Sequence, residues 1–262
     1  MCLVLLAFRV HAEVPLIVAA NRDEYYSRAS EPPSRVPGSR PAIVAGRDSE
    51  RGGTWMGFTA AGFFAGLTNQ RTVGPPEPAR RSRGEIVMRA LRAGSTEEVE
   101  RFLAEADARE YNPFHLVFGG AGALRVASTR AGEARIAVQA LEPGIHMLAN
   151  GPLDARSPKT ERAEALVRPL LGEPWPELRP ALQHLLADHE KPSLESTPPS
   201  PPWMPRSVAQ ELQAICVHTE AYGTRSATVA AVQPGRVESY WFAPGPPCTT
   251  PFEDVTRLLD GD

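Results

Sequence analysis

Residues 2–24 read CLVLLAFRVHAEVPLIVAANRDE, two apolar runs parted by a short break and closed by four polar residues. Residues 2–10 predict a buried strand and residues 15–20 a second, with 11–14 as the turn, because two short apolar runs flanking a turn are what a hairpin requires. In such a hairpin the end of the second strand lies beside the start of the first, which puts Asp23 near Cys2. Cys2 follows Met1, and methionine aminopeptidase removes a leading methionine when the next side chain is this small. That would leave Cys2 with a free α-amine of pKa about 7.7–8.0 beside a thiol of about 8.5, both close enough to neutrality to work. The amine can accept the thiol proton and later deliver it to a leaving group, so one residue serves as nucleophile and base. Taken alone, Cys2 fits better as a small buried hydrophobe opening a strand. Likewise Asn21-Arg22-Asp23-Glu24 is either a hairpin exit with solvated charges or a strand ending at a site. In the second reading Asp23 holds the amine or orients the thiol, and Arg22 favours the thiolate.

Outward from this hairpin, residues 31–41 are rich in proline and read as loop, and 43–45 resume a short strand. Residues 54–59 and 63–68 flank Ala60-Ala61-Gly62 as a second hairpin, the glycine supplying a positive φ. Residues 84–93 carry apolar positions at helical spacing and stop at Gly94. Ser95 and Glu98 predict a capping box for a further helix. Strands are expected over 115–118, 124–128 and 136–140, helices over 159–171 and 176–188, and strands again over 215–218, 226–232 and 237–242. The proline-rich stretch 192–205 reads as a long irregular loop, a lid or a surface wrap. Strands, helices, strands, helices and strands in that order suit helices covering the outer faces of antiparallel sheets. With no repeat and no linker between two cores, one domain over 1–262 is expected.

The 262 residues are 42% hydrophobic and 23% charged, enough for a sizeable core. A formal charge of −3 argues against a nucleic-acid partner, since phosphate binding needs surplus Lys and Arg. Arg80, Arg81 and Arg83 beside Pro75, Pro76 and Pro78 read as a solvated loop rather than an anion site. The apolar start lacks a positive n-region and is interrupted by Arg9, His11 and Glu13, unlike a secretory signal. No run approaches the roughly 20 apolar residues of a membrane span. Cys2, Cys216 and Cys248 are too few and too scattered for a disulfide framework or a zinc site, which suits a reducing, cytoplasmic setting. The six histidines show no HExxH or paired metal spacing, so no metal and no cofactor are expected. A phosphate loop, a GxSxG elbow and a dinucleotide fingerprint are all missing from the sequence.

Three further clusters bear polar chemistry. Gly52-Gly53-Thr54-Trp55 opens a hairpin whose far strand ends in Leu67-Thr68-Asn69. Leu148-Ala149-Asn150-Gly151 ends a strand before a helix, and Tyr222-Gly223-Thr224-Arg225-Ser226 leads into another. An asparagine at a strand end can donate its amide to a developing oxyanion. A glycine bulge at Gly52-Gly53 and turn chemistry at Asn150-Gly151 explain the same residues structurally.

Together, Met1-Cys2, Asn21-Arg22-Asp23-Glu24, Ala45-Gly46-Arg47-Asp48, Gly52-Gly53-Thr54-Trp55, Leu67-Thr68-Asn69 and Tyr222-Gly223-Thr224-Arg225-Ser226 resemble the NRDE family, that of the transport and Golgi organisation protein. The match runs from residue 2 to roughly 242. That family in turn resembles the N-terminal-nucleophile hydrolases of the cholylglycine hydrolase and penicillin V acylase type. The resemblance implies an α+β fold, a four-layer αββα sandwich of antiparallel sheets, and cleavage of non-peptide amide bonds. It implies Cys2 as nucleophile, Asp23 as its orienting carboxylate, and Asn69 and Asn150 as oxyanion-hole positions. Arg22 and Arg225 are its substrate-binding candidates, although Arg22 and Asp23 are adjacent here and separated in the acylases. The expected partner is a small molecule, an amide or thioester under a hydrolase reading. Under a non-catalytic reading it is acyl-CoA or haem, in keeping with the family's association with lipid homeostasis and haem trafficking.

Overall fold

The computed structural model describes residues 3–70, 74, 76–152 and 155–260. The predicted first hairpin forms: β1 (Leu3–Phe8) pairs antiparallel with β2 (Leu16–Tyr25), Leu3 opposite Asn21 and Phe8 opposite Leu16. Next along the chain are β3 (Ser30–Arg35), β4 (Ile43–Asp48), β5 (Met56–Thr59) and β6 (Phe64–Asn69). Two helices follow, α1 (Arg83–Ala93) and α2 (Thr96–Glu105), then β7 (Phe114–Gly119), β8 (Leu124–Ser128), β9 (Ala137–Ala140) and β10 (Gly144–Leu148). The remainder is α3 (Pro158–Val167), α4 (Trp175–Leu186), α5 (Arg206–Glu211), β11 (Tyr222–Gln233), β12 (Arg236–Ala243) and β13 (Glu253–Asp254).

The strands form two antiparallel sheets, one ordered β10-β1-β2-β11-β12-β13 and the other running β3 to β9 in sequence order. Alternation along β1 decides how they stack, because successive side chains of a strand point to opposite faces. Val4, Leu6 and Phe8 meet Phe58, Phe64, Val117 and Val126 of the other sheet. Leu3, Leu5 and Ala7 face the other way, onto Ala163 and Val167 of α3 and Leu178, Leu182 and Leu185 of α4. The far face of the second sheet packs Ala65 and Leu116 against Ile86, Val87 and Leu91 of α1 and Val99 and Leu103 of α2. The layers are therefore helix, sheet, sheet, helix, as expected. Each Leu or Phe buried in these three cores contributes about 1.5–3 kcal/mol.

Local chemistry at the helix ends follows the sequence. Gly94 closes α1 at φ 66° in the left-handed region; at the start of α2 the Ser95 side chain accepts from the Glu98 N–H, half of the expected capping box, without the reciprocal Glu98 bond among the described residues. Ser157 and Thr160 form a reciprocal capping box with Pro158 at the first turn of α3. This cap fixes where Lys159 enters the structure.

Three expectations change. Residues 31–35 are not loop but lie in β3, where Pro32 and Pro33 fall within a register irregularity between Glu31 and Ser34. An edge strand with a bulge tolerates the missing N–H groups. Asn21 to Glu24 do not follow the strand but continue it, because β11 pairs with them through to Tyr222 opposite Tyr25. Residues 215–218 make a single bridge, His218 with Gly223, rather than a strand. Stretch 192–205 carries neither helix nor strand, as expected.

Candidate functional site

Register brings several strand ends to one edge of the sandwich. The described start of β1 lies beside Asn21 of β2, and β10 pairs on its other side with Leu148 opposite Val4, so Asn150 emerges two residues beyond. β11 begins at Tyr222 along the same edge, next to Asp23 and Glu24. The facing sheet contributes the end of β6, where Asn69 sits. Cys2 lies outside the described residues.

Asp23 is buried, 4% exposed. Its Oδ1 accepts from Thr224 Oγ1 at 2.7 Å, and its Oδ2 stands 3.3 Å from the Lys159 ammonium, which is itself 1% exposed. Tyr222 Oη donates to the Asp23 carbonyl at 2.8 Å, fixing the backbone as well. Pleat alternation aims Asp23 at the α3 side, along with Ile17 and Ala19, and α3 answers with Lys159 from its capped first turn. Two positions earlier on the same face, Asn21 Nδ2 donates to the carbonyls of Leu186 and Ile215 at 2.8 and 2.9 Å. Arg22 points the opposite way, between the sheets, with its guanidinium 4.3 Å from the centre of the Trp55 ring. Trp55 reaches that place because position 46 is glycine: a Cβ there would stand 2.4 Å from the indole. Gly53, at φ 74°, lets the preceding turn touch the Gly84 backbone, where a Cβ would stand 2.5 Å from the carbonyl carbon.

A cleft of about 520 Å³ opens at this edge, lined by Arg22, Asp23, Trp55, Asn69, Asn150 and Tyr222 together with charged residues of its rim. Asn150 Nδ2 donates to the Asn69 carbonyl at 2.5 Å, a link between the two sheets, while Asn150 Oδ1 is buried with no partner among the described residues. An asparagine amide has two N–H donors, and among the described residues only the Asn69 carbonyl accepts from this one. The loop beyond β10 is held from below by His115 Nε2 on the Gly151 carbonyl at 2.9 Å, with Ser128 Oγ 2.7 Å from the other ring nitrogen. At the rim Arg28 binds Asp48 through Nε and Nη2 at 3.1 and 2.6 Å. Burial works to raise the Asp48 carboxyl, but the Arg28 hydrogen bond and backbone N–H groups hold it below its ordinary range. An adjoining apolar trough of about 450 Å³ shares Tyr25, Asn150 and Tyr222 with the cleft and is walled by Trp203, Met204, Val208 and Leu212.

Of the residues singled out in the sequence, Asp23, Arg22, Asn69 and Asn150 converge on the cleft. Arg225 does not line it: its guanidinium donates to the Tyr25 and Tyr26 carbonyls at 3.3 and 2.6 Å and clamps that turn. Lys159, Thr224 and His115 were not anticipated as site residues. Lys159 begins a predicted helix and carried no signal of burial, since a lysine in a first turn ordinarily faces solvent. The expectation that the cysteines and histidines are too scattered to gather is corrected by the fold. His189, Cys216, His218 and Cys248 place their side-chain donor atoms within 4.8 Å of one another. Separation along the chain misled, because the segment after α4 and the loop after β12 close on residues 216–218 in space. Burial, and then the neighbouring Cys248, pushes the Cys216 thiol up to about 12. Among the described residues no helix is long and apolar enough to cross a membrane.

The family model described as Transport and Golgi organisation 2 matches residues 1–240. The Transport and Golgi organization 2 homolog of Mus musculus is 28% identical over 238 residues, covering 83% of this chain and 82% of that protein. The Homo sapiens homolog is 29% identical over 238 residues with the same coverage. Among solved structures, a variant of conjugated bile acid hydrolase from Clostridium perfringens aligns at TM-score 0.52 and 11% identity, covering 100% of this chain and 95% of that one. The Caenorhabditis elegans ortholog of N-acylethanolamine-hydrolyzing acid amidase aligns at TM-score 0.50 and 12% identity, covering 88% and 92%. At these identities the likeness shows the fold alone, and that fold is the N-terminal-nucleophile-hydrolase type.

Proposed function

The chain belongs to the Transport and Golgi organisation 2 family, and from that premise we propose that it is a cysteine N-terminal-nucleophile hydrolase acting on a small amide or thioester. The observation that carries this reading is the buried Asp23 carboxylate, held by Lys159 and Thr224 at the strand end beside the start of β1. Leu3, which follows Cys2 in the chain, pairs with Asn21 across the hairpin. A carboxylate so firmly fixed at this strand end suits the role of orienting the Cys2 amine.

In the proposed sequence the Cys2 amine takes the thiol proton and the thiolate sulfur bonds to the substrate carbonyl carbon. The oxyanion that develops is met by the second N–H of Asn150 and by the Asn69 amide. Collapse breaks the carbon–nitrogen or carbon–sulfur bond, the ammonium gives its proton to the leaving group, and an acyl-cysteine remains. Water then attacks that thioester with the amine as base and regenerates the thiol. The apolar trough suits the acyl group, and the charged rim suits a polar leaving group. Under this reading Cys2 is the expected first site of limiting iodoacetamide alkylation, and faster labelling of Cys216 or Cys248 would count against it.

The same trough also supports a carrier of acyl-CoA or haem that performs no chemistry. An amide and thioester panel run on wild type and Cys2→Ala separates the two. Cys2-dependent turnover by protein whose intact mass lacks Met1 is the expected result. Ligand binding without Cys2-dependent turnover would replace the hydrolase with the carrier.

A further inference from the structure

Behind the wall of the candidate site, on the α3–α4 side of the six-stranded sheet, four soft and borderline donors meet. Cys216 Sγ lies 3.8 Å from Cys248 Sγ and 3.6 Å from His218 Nε2, and His218 Nε2 lies 3.3 Å from Cys248 Sγ. Tetrahedral zinc with bonds of about 2.3 Å to sulfur and about 2.0–2.1 Å to nitrogen has polyhedron edges of about 3.8 Å between sulfurs and about 3.5 Å between sulfur and nitrogen. The three separations already match such edges. The fourth donor comes from His189, whose ring centre is 5.0 Å from that of His218. His189 Nδ1 lies 3.1 Å from the Cys216 carbonyl, an acceptor that fixes the proton on Nδ1 and leaves the Nε2 lone pair available. Metal-binding histidines are ordinarily oriented this way, by an N–H bond to a carbonyl or carboxylate.

We propose that His189, Cys216, His218 and Cys248 form a four-ligand metal site, suited to zinc, that locks together the chain segments supporting Asp23 and Asn21. Two thiolates and two imidazoles are a donor set that zinc takes in tetrahedral sites, and four protein ligands leave no open position for a substrate. The site is therefore structural. What it would lock is visible in the hydrogen bonds. The Cys216 N–H donates to the Asp188 carbonyl at 2.8 Å, joining the first and second ligand segments. Val217 N–H donates to Thr224 Oγ1 at 2.9 Å, and that hydroxyl donates onward to Asp23. The carbonyls that receive Asn21 belong to Leu186 and Ile215, residues flanking the same two segments. A cation held by residues 189, 216, 218 and 248 would tie these supports to the loop after β12. Metal binding stands independently of the hydrolase reading, since no ligand is assigned to the proposed chemistry.

The test uses the full chain, purified under reducing conditions. Elemental analysis after zinc loading and desalting should give one zinc per chain for wild type and Cys2→Ser, and none for Cys248→Ser or His218→Ala. Cobalt in place of zinc should give the strong visible bands of a tetrahedral thiolate complex, a readout on wild type that holds even if a variant fails to fold. Chelator should lower the melting temperature of wild type and leave that of Cys248→Ser unchanged. Zinc retained equally by wild type and Cys248→Ser would overturn the assignment, as would octahedral cobalt spectra. A reduced wild type that takes up no zinc, with a Cys216–Cys248 disulfide mapped after air exposure, would make the cluster a dithiol pair and overturn it too.

Discussion

Two carboxylate–cation pairs reach the same cleft and are opposite in kind. Asp23 and Lys159 are 0% and 1% exposed at their side chains and stand 3.3 Å apart. Asp48 and Arg28 are 15% and 29% exposed at the rim, with two guanidinium nitrogens on one carboxylate oxygen. Burying a carboxylate and an ammonium costs several kcal/mol per ion, and an apolar pair of like volume is often as stable or more so. The Asp23–Lys159 pair is thus weak evidence for stability and a reason to look for a task that needs a fixed charge. The rim pair has better geometry, yet solvent screens it and long side chains must be ordered to make it.

The largest expected effect comes from breaking the buried pair on one side. Asp23→Asn leaves the Lys159 ammonium with no carboxylate within ion-pair distance among the described residues, and urea unfolding should show a loss of about 3–5 kcal/mol. Combining Asp23→Asn with Lys159→Met removes both charges and should recover most of that loss while leaving Cys2-dependent turnover absent. Recovery of turnover along with stability would make the pair architectural. An Asp23→Asn protein as stable as wild type would erase the contrast between the two pairs.

Asn150 sharpens the contrast from the other direction, because it lines both the cleft and the adjoining trough. A donor aimed at an oxyanion acts where charge develops in the transition state and far less on ground-state binding. Asn150→Ala should lower turnover by about 10²–10³ with a modest change in ligand affinity. Iodoacetamide alkylation of Cys2 should persist, since that displacement builds no tetrahedral oxyanion. Turnover largely retained in Asn150→Ala would remove this residue from the mechanism and leave Asp23 untouched. A matching loss of ligand affinity and turnover would assign Asn150 to binding.

The contrast also marks what a sequence exposes. The hairpin of residues 2–20 was legible because apolar runs and a polar break are local patterns, and so were the ends of α1 and α2 at Gly94 and Ser95. Asp23, Arg22 and Asn69 could be singled out because each sits in a quoted motif of the family, and Asn150 because it ends a strand in a pattern that resembles the acylases. Their roles were not: the Asn150 amide spends one hydrogen on the Asn69 carbonyl, a partner 81 residues away. Lys159 lies 136 residues from Asp23, and nothing near it distinguishes a buried ammonium from a solvated one. The four-residue Cys/His cluster fails the same way, since its members span 189 to 248 without a metal-binding spacing. The strand at residues 31–35 was hidden by prolines that an edge position tolerates. Local periodicity reports elements, whereas sites assembled across layers need the register.

The smallest effect belongs to the rim pair, and its pH dependence gives the sign. The folded Asp48 carboxyl lies below its ordinary range, because the Arg28 hydrogen bond and the N–H groups of Glu50 and Arg51 outweigh the opposing effect of burial. In the unfolded chain an aspartate titrates near 3.9. A depressed folded value means that its stabilisation is fully present above about pH 4 and is lost as pH falls through the folded value. Arg28→Met removes the principal cause, so its stability deficit should be level between pH 5 and 8 and shrink on acidification below about pH 4. Solvent exposure holds that deficit to about 1 kcal/mol or less. Denaturant midpoints of wild type and Arg28→Met from pH 7 down to 3 measure it directly. A deficit of several kcal/mol at neutral pH would mean that the rim pair behaves as a buried one. A deficit that persists unchanged at pH 3 would mean that Arg28 acts through its contact with the chain and not through the Asp48 charge.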